Sequence, residues 1–284
     1  MAAVVKLSIE LPVAEADGIA SCAREIEAGG FDACFVTDHP APTRAWLEHG
    51  GHATMDPFGV LGVAAAVTST LRLHTHCVIP AYRHPLVTAK AVATLDALSR
   101  GRVILGVAVG YLEEEFTALG VPYADRAFLL DDALRVMKAA WTGDVDGHVV
   151  LPKPHTEPHP PIWVGGNSTA AMRRAIAHGT GWAPFPASPR VAAATSTADI
   201  PDLDALARAI ERFRKLAADA GRTDPFDICF TPFSHPAHQD VVDPDALVEE
   251  AHALARIGVT WLAFHLPAAH MREFGAEVVT RLRR

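Results

Sequence analysis

The amino-acid sequence predicts an α/β protein with a (β/α)8 TIM barrel fold, and three observations favour that fold. Short apolar runs alternate eight times with longer segments of helical periodicity over the 284 residues. The first run leads into Glu10-Leu11-Pro12 and lacks the G-x-G-x-x-G motif that the rival fold, a doubly wound sheet, usually carries there. No linker, repeat or low-complexity run divides the chain, so we expect a single domain over 1–284.

The eight predicted strands are short runs of apolar residues bounded by turn residues. They are VVKLSI (4–9), ACFVT (33–37), LRLHTHCVI (71–79), RVILGVAV (102–109), PIWVG (161–165), WAPF (182–185), FDICFT (226–231) and TWLAFHL (260–266). A long polar loop follows the second strand, and the Pro/His-rich loop LPKPHTEPHPP (151–161) precedes the fifth.

The predicted helices show apolar residues at helical spacing and recognisable ends. AEADGIASCAREIEA (14–28) ends at Gly29-Gly30, and Pro85 suits the first turn of HPLVTAKAVATLDALS (84–99). The other predicted helices cover 57–69, 111–118, 126–141, 168–179, 201–221, 243–258 and 269–284.

Composition and charge argue against several functional classes. The net charge is −8 and the only basic cluster is the terminal Arg281-Leu282-Arg283-Arg284, which argues against nucleic-acid binding. The first residues turn acidic too early for a signal peptide, and no apolar run is long enough to span a membrane. The four cysteines form no Cys-x-x-Cys pair, as is usual for a reduced compartment. We therefore expect a cytoplasmic protein whose partner is a small molecule.

Polar and flexible residues stand where the predicted strands end. A barrel enzyme works at the C-terminal ends of its strands. The residues found there are Glu10, Asp38, His39, His76 to Pro80, Gly106 to Tyr111, Gly165 to Ser168, Phe185, Phe230, Thr231 and His265. Acidic, imidazole, glycine and aromatic groups are therefore expected around one mouth.

The segment VGGNSTAAMRR has the chemistry of an anion site. Gly165 and Gly166 let backbone amides approach an anion closely, and the helix that follows adds a partial positive charge. Asn167 or Ser168 would serve as the helix N-cap. A capped helix that follows a tight turn, without any ligand, explains the same residues, so both interpretations stay open here.

The segment GRVILGVAVGYLEEEF has glycines that bracket a strand end. Gly106 and Gly110 would let a flat ligand lie against the backbone. The acids Glu113, Glu114 and Glu115 open the next helix, where negative charge is favourable, and this explains most of the triplet.

The histidines leave a choice between chemistry and structure. His39 could exchange a proton near pH 7, or it could simply cap the strand end. His74 and His76 share one face of a strand, but no tight ligand motif such as His-Glu-x-x-His occurs, so we expect no catalytic metal.

Three blocks, in this order and spacing, resemble the bacterial luciferase-like monooxygenase superfamily, and the closer match is its F420-dependent oxidoreductases. The blocks are GFDACFVTDHPAPTRAW (30–46), LRLHTHCVIPAYRHPLVTAKAVATLDALSRGRVILGVAVGYLEEEF (71–116) and PPIWVGGNSTAAMRRAIAHGTGW (160–182). Together with the eight-unit pattern, the resemblance covers nearly the whole chain.

The resemblance implies a barrel that holds coenzyme F420, or alternatively FMN, at its C-terminal mouth. It implies that His39, supported by Asp38, lies near the reactive ring, and that a non-prolyl cis peptide at His76–Cys77 cradles that ring. It also implies a cofactor site that includes Val109, Gly110, Tyr111, Gly165, Gly166, Asn167 and Ser168, with Gly165, Gly166 and Asn167 around the phosphate. The family commonly forms homodimers, so we expect one here.

An apolar, partly aromatic substrate pocket is expected from the residues near the strand ends, namely Trp46, Phe185, Phe230 and His265. The chain departs from the family pattern in the segment 141–161, which is short, so the insert that commonly covers the pocket is expected to be truncated. The predicted activity is hydride transfer between F420 and a small organic substrate. The alternatives are an FMN-dependent monooxygenase that uses O2 and a non-catalytic flavin-binding protein.

Overall fold

The computed structural model describes residues 5–11, 18–234, 243–266 and 274–283, and eight parallel strands form a closed barrel among them. Each strand pairs with the next in sequence, and β8 closes the barrel against β1. The strands are β1 (Lys6–Glu10), β2 (Ala33–Val36), β3 (Arg72–Val78), β4 (Val103–Val107), β5 (Ile162–Gly165), β6 (Gly181–Ala183), β7 (Asp227–Phe230) and β8 (Trp261–Phe264). The predicted (β/α)8 fold and all eight predicted strands are confirmed.

Helices surround the barrel and connect its strands. They are α1 (Ile19–Ala28), α2 (Arg44–Glu48), α3 (Pro57–Val67), α4 (Pro85–Ser99), α5 (Glu113–Ala118), α6 (Arg126–Thr142), α7 (Thr169–His178), α8 (Pro189–Ala194), α9 (Leu203–Asp219) and α10 (Pro244–Ile257). A π-helical turn, Gly275–Val279, then runs into α11 (Thr280–Leu282). The start of the predicted first helix and residues 269–273 and 284 of the last one lie outside the described residues.

Two short helices, α2 and α8, lie in loops where the sequence predicted none. Each has five or six residues and begins at a hydroxyl N-cap, Thr43 for α2 and Ser188 for α8. Such short segments show no complete apolar period, so only their capping residues could have indicated them.

The core has two layers because strand residues alternate between the inside of the barrel and its outer surface. The outer layer packs the strands against the helices and includes Leu73, Val164 and Phe230. A separate inner cluster fills the barrel with Ala33, Phe35, Ile104, Trp163, Ala183, Cys229, Trp261 and Ala263. Phe230 is fully buried in the outer layer and packs on Phe233, so its predicted place in the substrate pocket is wrong.

The segment between α6 and β5 lies against the outside of the barrel. The fully buried carboxylate of Asp96, on α4, accepts hydrogen bonds from the backbone N–H and hydroxyl of Thr156. Lys153 donates to the carbonyls of Ala140 and Gly143. No residue of 141–161 lines the described cleft at the barrel mouth.

Candidate active site

The carboxyl ends of β2 to β6 enclose a cleft of about 560 Å3, a volume typical of cofactor sites. Residues from the predicted strand ends meet in this cleft. Those that were predicted as site residues are Asp38, His39, His76, Cys77, Val109, Gly110, Tyr111, Gly165, Gly166, Ser168 and Phe185. The lining also includes Thr37, His52, Tyr82 and Glu115, which were not predicted as site residues.

His39 is held by a buried carboxylate. Its Nδ1 atom lies 3.1 Å from Oε2 of Glu115, whose side chain is 1% exposed. The backbone N–H of Ala41 and the hydroxyl of Tyr82 donate to the same carboxylate, at 3.1 Å and 3.2 Å. An ionised carboxylate only accepts hydrogen bonds, so this arrangement assigns the proton of neutral His39 to Nδ1. Within the described part of the chain no group hydrogen-bonds Nε2 of this ring.

Three aromatic rings pack around His39. The centroids of the Trp46, His52 and Tyr111 rings lie 4.7, 5.1 and 5.9 Å from that of His39. Trp46 does not line the described cleft but packs on both histidines, and its ring fills the place where a Cβ on Gly51 would stand. Burial, assisted by the Glu115 charge, raises the pKa of Tyr111 to about 12, so the phenol stays protonated at neutral pH.

Asp38 is directed to Arg83 and the backbone. The guanidinium of Arg83 binds both carboxylate oxygens, at 2.6 Å and 2.9 Å, and the N–H of Ile79 adds a third bond at 3.1 Å. Arg83 also reaches Asp56, the N-cap of α3. Asp38 therefore fixes the end of β2 to the end of β3, and its hydrogen bonds go to Arg83 and Ile79 rather than to the ring of His39.

The floor of the cleft is the end of β3, where the His76–Cys77 peptide bond is cis, as predicted. Here the pairing between β3 and β4 shifts register between Thr75 and Val78. The thiol of Cys77 stands against Gly165, because a Cβ on that glycine would lie 2.9 Å from its sulfur. Burial raises the pKa of Cys77 to about 12, so the residue is a neutral packing group and no thiolate nucleophile.

Glycines let the backbone of two strand ends come close to the cleft. Gly110 has φ of +83°, and a Cβ there would lie 2.7 Å from the ring of Phe116. Gly166 has φ of +114° and stands at the N-terminus of α7, where backbone N–H groups point outward. Both positions demand a residue that accepts positive φ at no cost.

Ser168 and Asn167, the two candidate caps of α7, have different roles. The hydroxyl of Ser168 accepts the N–H of Ala171 and caps the helix. Asn167 is buried, and its amide bonds the backbone of Phe185 and Ala198. Asn167 does not line the described cleft, and it ties the loop after β6 to the loop after β5.

The chain as a whole matches one family model. The model described as luciferase-like monooxygenase matches residues 6–281. The chain belongs to the luciferase-like monooxygenase family. The resemblance seen in the three sequence blocks is therefore confirmed, and the protein is an oxidoreductase or monooxygenase of the luciferase-like class that depends on F420 or a flavin.

Individual relatives of this luciferase-like protein include both kinds of enzyme. An F420-dependent glucose-6-phosphate dehydrogenase from Beutenbergia cavernae is 31% identical to this chain in an alignment 309 residues long. The match covers 90% of each chain. A solved monooxygenase from Streptomyces bottropensis has a TM-score of 0.77 at 20% identity, with 97% and 99% of the two chains covered. A solved F420-dependent secondary alcohol dehydrogenase has a TM-score of 0.76 at 17% identity, with 99% of each chain covered. At such identities the two structures show a shared fold.

His265 was expected in the substrate pocket, but the structure places it elsewhere. Its Nδ1 lies 2.9 Å from Oε2 of Glu10, and its ring packs edge-on against Phe35. It does not line the described cleft. The pair joins the ends of β8 and β1 beside the floor residue His76, whose pKa is lowered to about 4, first by burial and then by the proximity of His265.

The described residues of this luciferase-like protein contain no group of three or more His, Cys, Asp or Glu side chains suited to a metal ion. Among the same residues, no helix is long and apolar enough to cross a membrane.

Proposed function

We propose that the protein transfers a hydride between coenzyme F420 and a small organic substrate, with His39 exchanging a proton with that substrate. The observation that carries the proposal is the buried Glu115–His39 pair at the cleft, which leaves Nε2 of His39 available to a ligand. The 31% identity to an F420-dependent dehydrogenase over 90% of the chain supports the choice of cofactor.

The lining of the cleft fits a flat ring with a phosphate-bearing tail. Gly110 and Gly165 line the cleft without side chains, so a planar ring can lie close to the chain there. Gly166 and Ser168 at the N-terminus of α7 are suited to the phosphate. In the proposed complex His76, Val109 and Tyr111 also contact the ring, whereas Asn167 acts only through the loops that it joins.

When bound, F420 supplies or accepts a hydride at its C5 carbon. Glu115 holds the Nδ1–H of His39, so Nε2 carries the lone pair in the neutral ring and can accept a proton from an alcohol. Because the carboxylate is buried and negative, it also stabilises the imidazolium that results. In the opposite direction the same nitrogen returns the proton to a carbonyl oxygen. Trp46, His52 and Tyr111 limit access of water to this nitrogen.

The cofactor choice is tested by titrating the purified protein with F420 and, separately, with FMN. We expect saturable binding of F420, measured by the change in its fluorescence. Tight FMN binding without affinity for F420 would contradict the proposal. In a substrate screen followed by F420 absorbance, His39→Ala is expected to lower kcat by about a hundredfold or more, and normal turnover would remove the role given to His39.

A second candidate function is an FMN-dependent monooxygenase, favoured by the description of the matching family model. The same cleft and the same glycines suit either tricyclic ring. Oxygen consumption with a flavin reductase present, and none with reduced F420, would select this alternative. We further propose, from the family resemblance, that the protein acts as a homodimer, which light scattering would test.

A further inference from the structure

The interior of the barrel contains polar atoms that the described protein groups leave without hydrogen bonds. They are the hydroxyl of Ser8 on β1, both ring nitrogens of His74 on β3, and the indole N–H groups of Trp163 on β5 and Trp261 on β8. All four side chains are at most 1% exposed. Native proteins rarely leave buried donors and acceptors unpaired, so these atoms require partners.

The four side chains form one contiguous group. The ring centroids of His74 and Trp163 are 4.8 Å apart, and those of Trp163 and Trp261 are 5.2 Å apart. Ser8 pairs with Ala263 on β8, two residues from Trp261. These atoms therefore border one region of the barrel interior.

The chemistry of the group identifies its ligand. The two indoles can only donate hydrogen bonds, and burial holds the pKa of His74 below its usual value, so this imidazole is neutral, with one donor and one acceptor. Donors thus outnumber the strong acceptors. A ligand here must accept at least two bonds, donate at least one and remain small and neutral, which is the chemistry of water.

Small residues stand beside the group. Ala33 and Ala263 belong to the same interior cluster as the two tryptophan rings. At Gly106 a Cβ would lie 3.1 Å from Nε2 of His74, so even an alanine would crowd that nitrogen.

We propose that the barrel interior is a binding site for a cluster of ordered water molecules, held by Ser8, His74, Trp163 and Trp261 and extending to His76. The ring of His76 lies 4.9 Å from that of His74, its Nδ1 is buried without a described partner, and the residue lines the cleft. Because protein donors outnumber acceptors in the group, its water molecules have hydrogens left to donate to Nδ1, and the proton of neutral His76 then lies on Nε2. His76 is therefore a positioning residue. Its effect on a cofactor rests on the function proposed above, whereas the water site is independent of that function.

The site is tested by NMR of the full-length protein with 15N-labelled tryptophan, through magnetisation transfer from water to the indole N–H groups. We expect transfer to Trp163 and Trp261. Trp141 and Trp182 are matched internal controls, because they are equally buried and their indoles donate to the carbonyls of Ala89 and Gly166. Transfer absent at both Trp163 and Trp261, as at the controls, would overturn the proposal.

Two variants separate the proposed site from a general opening of the barrel. His74→Phe should abolish transfer to Trp163, and Ser8→Ala, which removes one oxygen with little effect on packing, should reduce transfer to Trp261. Transfer that stays unchanged in both variants contradicts the assignment. For His76, the 15N shifts should show one fixed tautomer in the parent protein and an averaged pair in His74→Phe. A tautomer that stays fixed would remove the link to His76.

Discussion

Nδ1 of His39 lies 3.1 Å from Oε2 of Glu115, although 76 positions separate the two residues in the chain. The carboxylate is buried and also accepts the Tyr82 hydroxyl and the Ala41 backbone N–H. Since all three donors meet one side chain, Glu115 fixes both the ring of His39 and the start of the loop that follows it. In the proposed function Glu115 therefore positions His39, and Nε2 of His39 is the atom that would meet a ligand.

Glu115→Gln is expected to lower kcat by about a hundredfold while changing the KM for substrate much less. The amide cannot stabilise an imidazolium as a carboxylate does, and it can present an N–H where His39 requires an acceptor. Steady-state kinetics with F420 measure the change, and the pH profile of kcat should shift as well. Glu114→Gln is the matched control, because Glu114 is the preceding acid of α5 and is exposed. Equal losses in the two variants would contradict the positioning role.

Arg83→Ala is expected to reduce the free energy of unfolding by about 3–5 kcal/mol. The Asp38 side chain is only 2% exposed, so removal of its bidentate partner leaves a buried charge without compensation. Urea denaturation measures the loss. Arg135→Ala removes an exposed pair with Asp132 and should cost less than about 1 kcal/mol. If Arg83→Ala were as mild as this control, Asp38 would not depend on Arg83.

The barrel could be predicted because its pattern is local and repeated. Each strand is a short apolar run, each long helix has its own apolar period, and the eightfold alternation identifies the topology. The His39 region and the glycine segments could be located for the same reason, since each directly follows a strand. That 1–284 is a single domain stays a prediction.

The partners of the site residues could not be predicted, because they depend on distant parts of the chain. Glu115 differs from Glu113 and Glu114 only in facing inward beside the buried Phe116, and helix-start acids look alike in sequence. Asp38 meets Arg83 across 45 positions. Asn167 is buried because its amide bonds the backbone of Phe185 and Ala198, and these residues reach it only when the chain has folded. Phe230 was misplaced by a single residue of strand alternation, because the neighbouring Cys229 is the one that faces the barrel interior.

The free energy of unfolding is expected to fall as pH drops from about 6.5 to 4. Burial lowers the pKa of His76 from 6.5 to about 4, so in this range the unfolded chain binds a proton that the folded protein does not. The loss approaches about 1.4 kcal/mol per pH unit for each such histidine, on the order of 3 kcal/mol for His76 by pH 4, and buried His74 adds to it. Glu27, with a pKa lowered to about 2, loses its contribution only below about pH 4.5.

Urea denaturation across this pH range measures the effect. His76→Gln should flatten the dependence, whereas His148→Gln, at an exposed position, should leave it unchanged. An equally steep fall in the His76 variant would show that other groups cause the acid sensitivity.

The same substitution, glycine to alanine, is expected to have opposite effects at two positions. Gly110 has φ of +83°, and a Cβ there would lie 2.7 Å from the Phe116 ring, so Gly110→Ala should cost about 1–3 kcal/mol. It should also weaken F420 binding, because Gly110 lines the cleft.

Gly62 lies within α3, and a Cβ there meets no atom within 4 Å, so Gly62→Ala should stabilise the protein by about 1 kcal/mol. Thermal and urea denaturation of both variants measure the difference. A Gly110→Ala protein as stable as its parent would show that the end of β4 accommodates a side chain. The requirement for glycine at this position would then be contradicted.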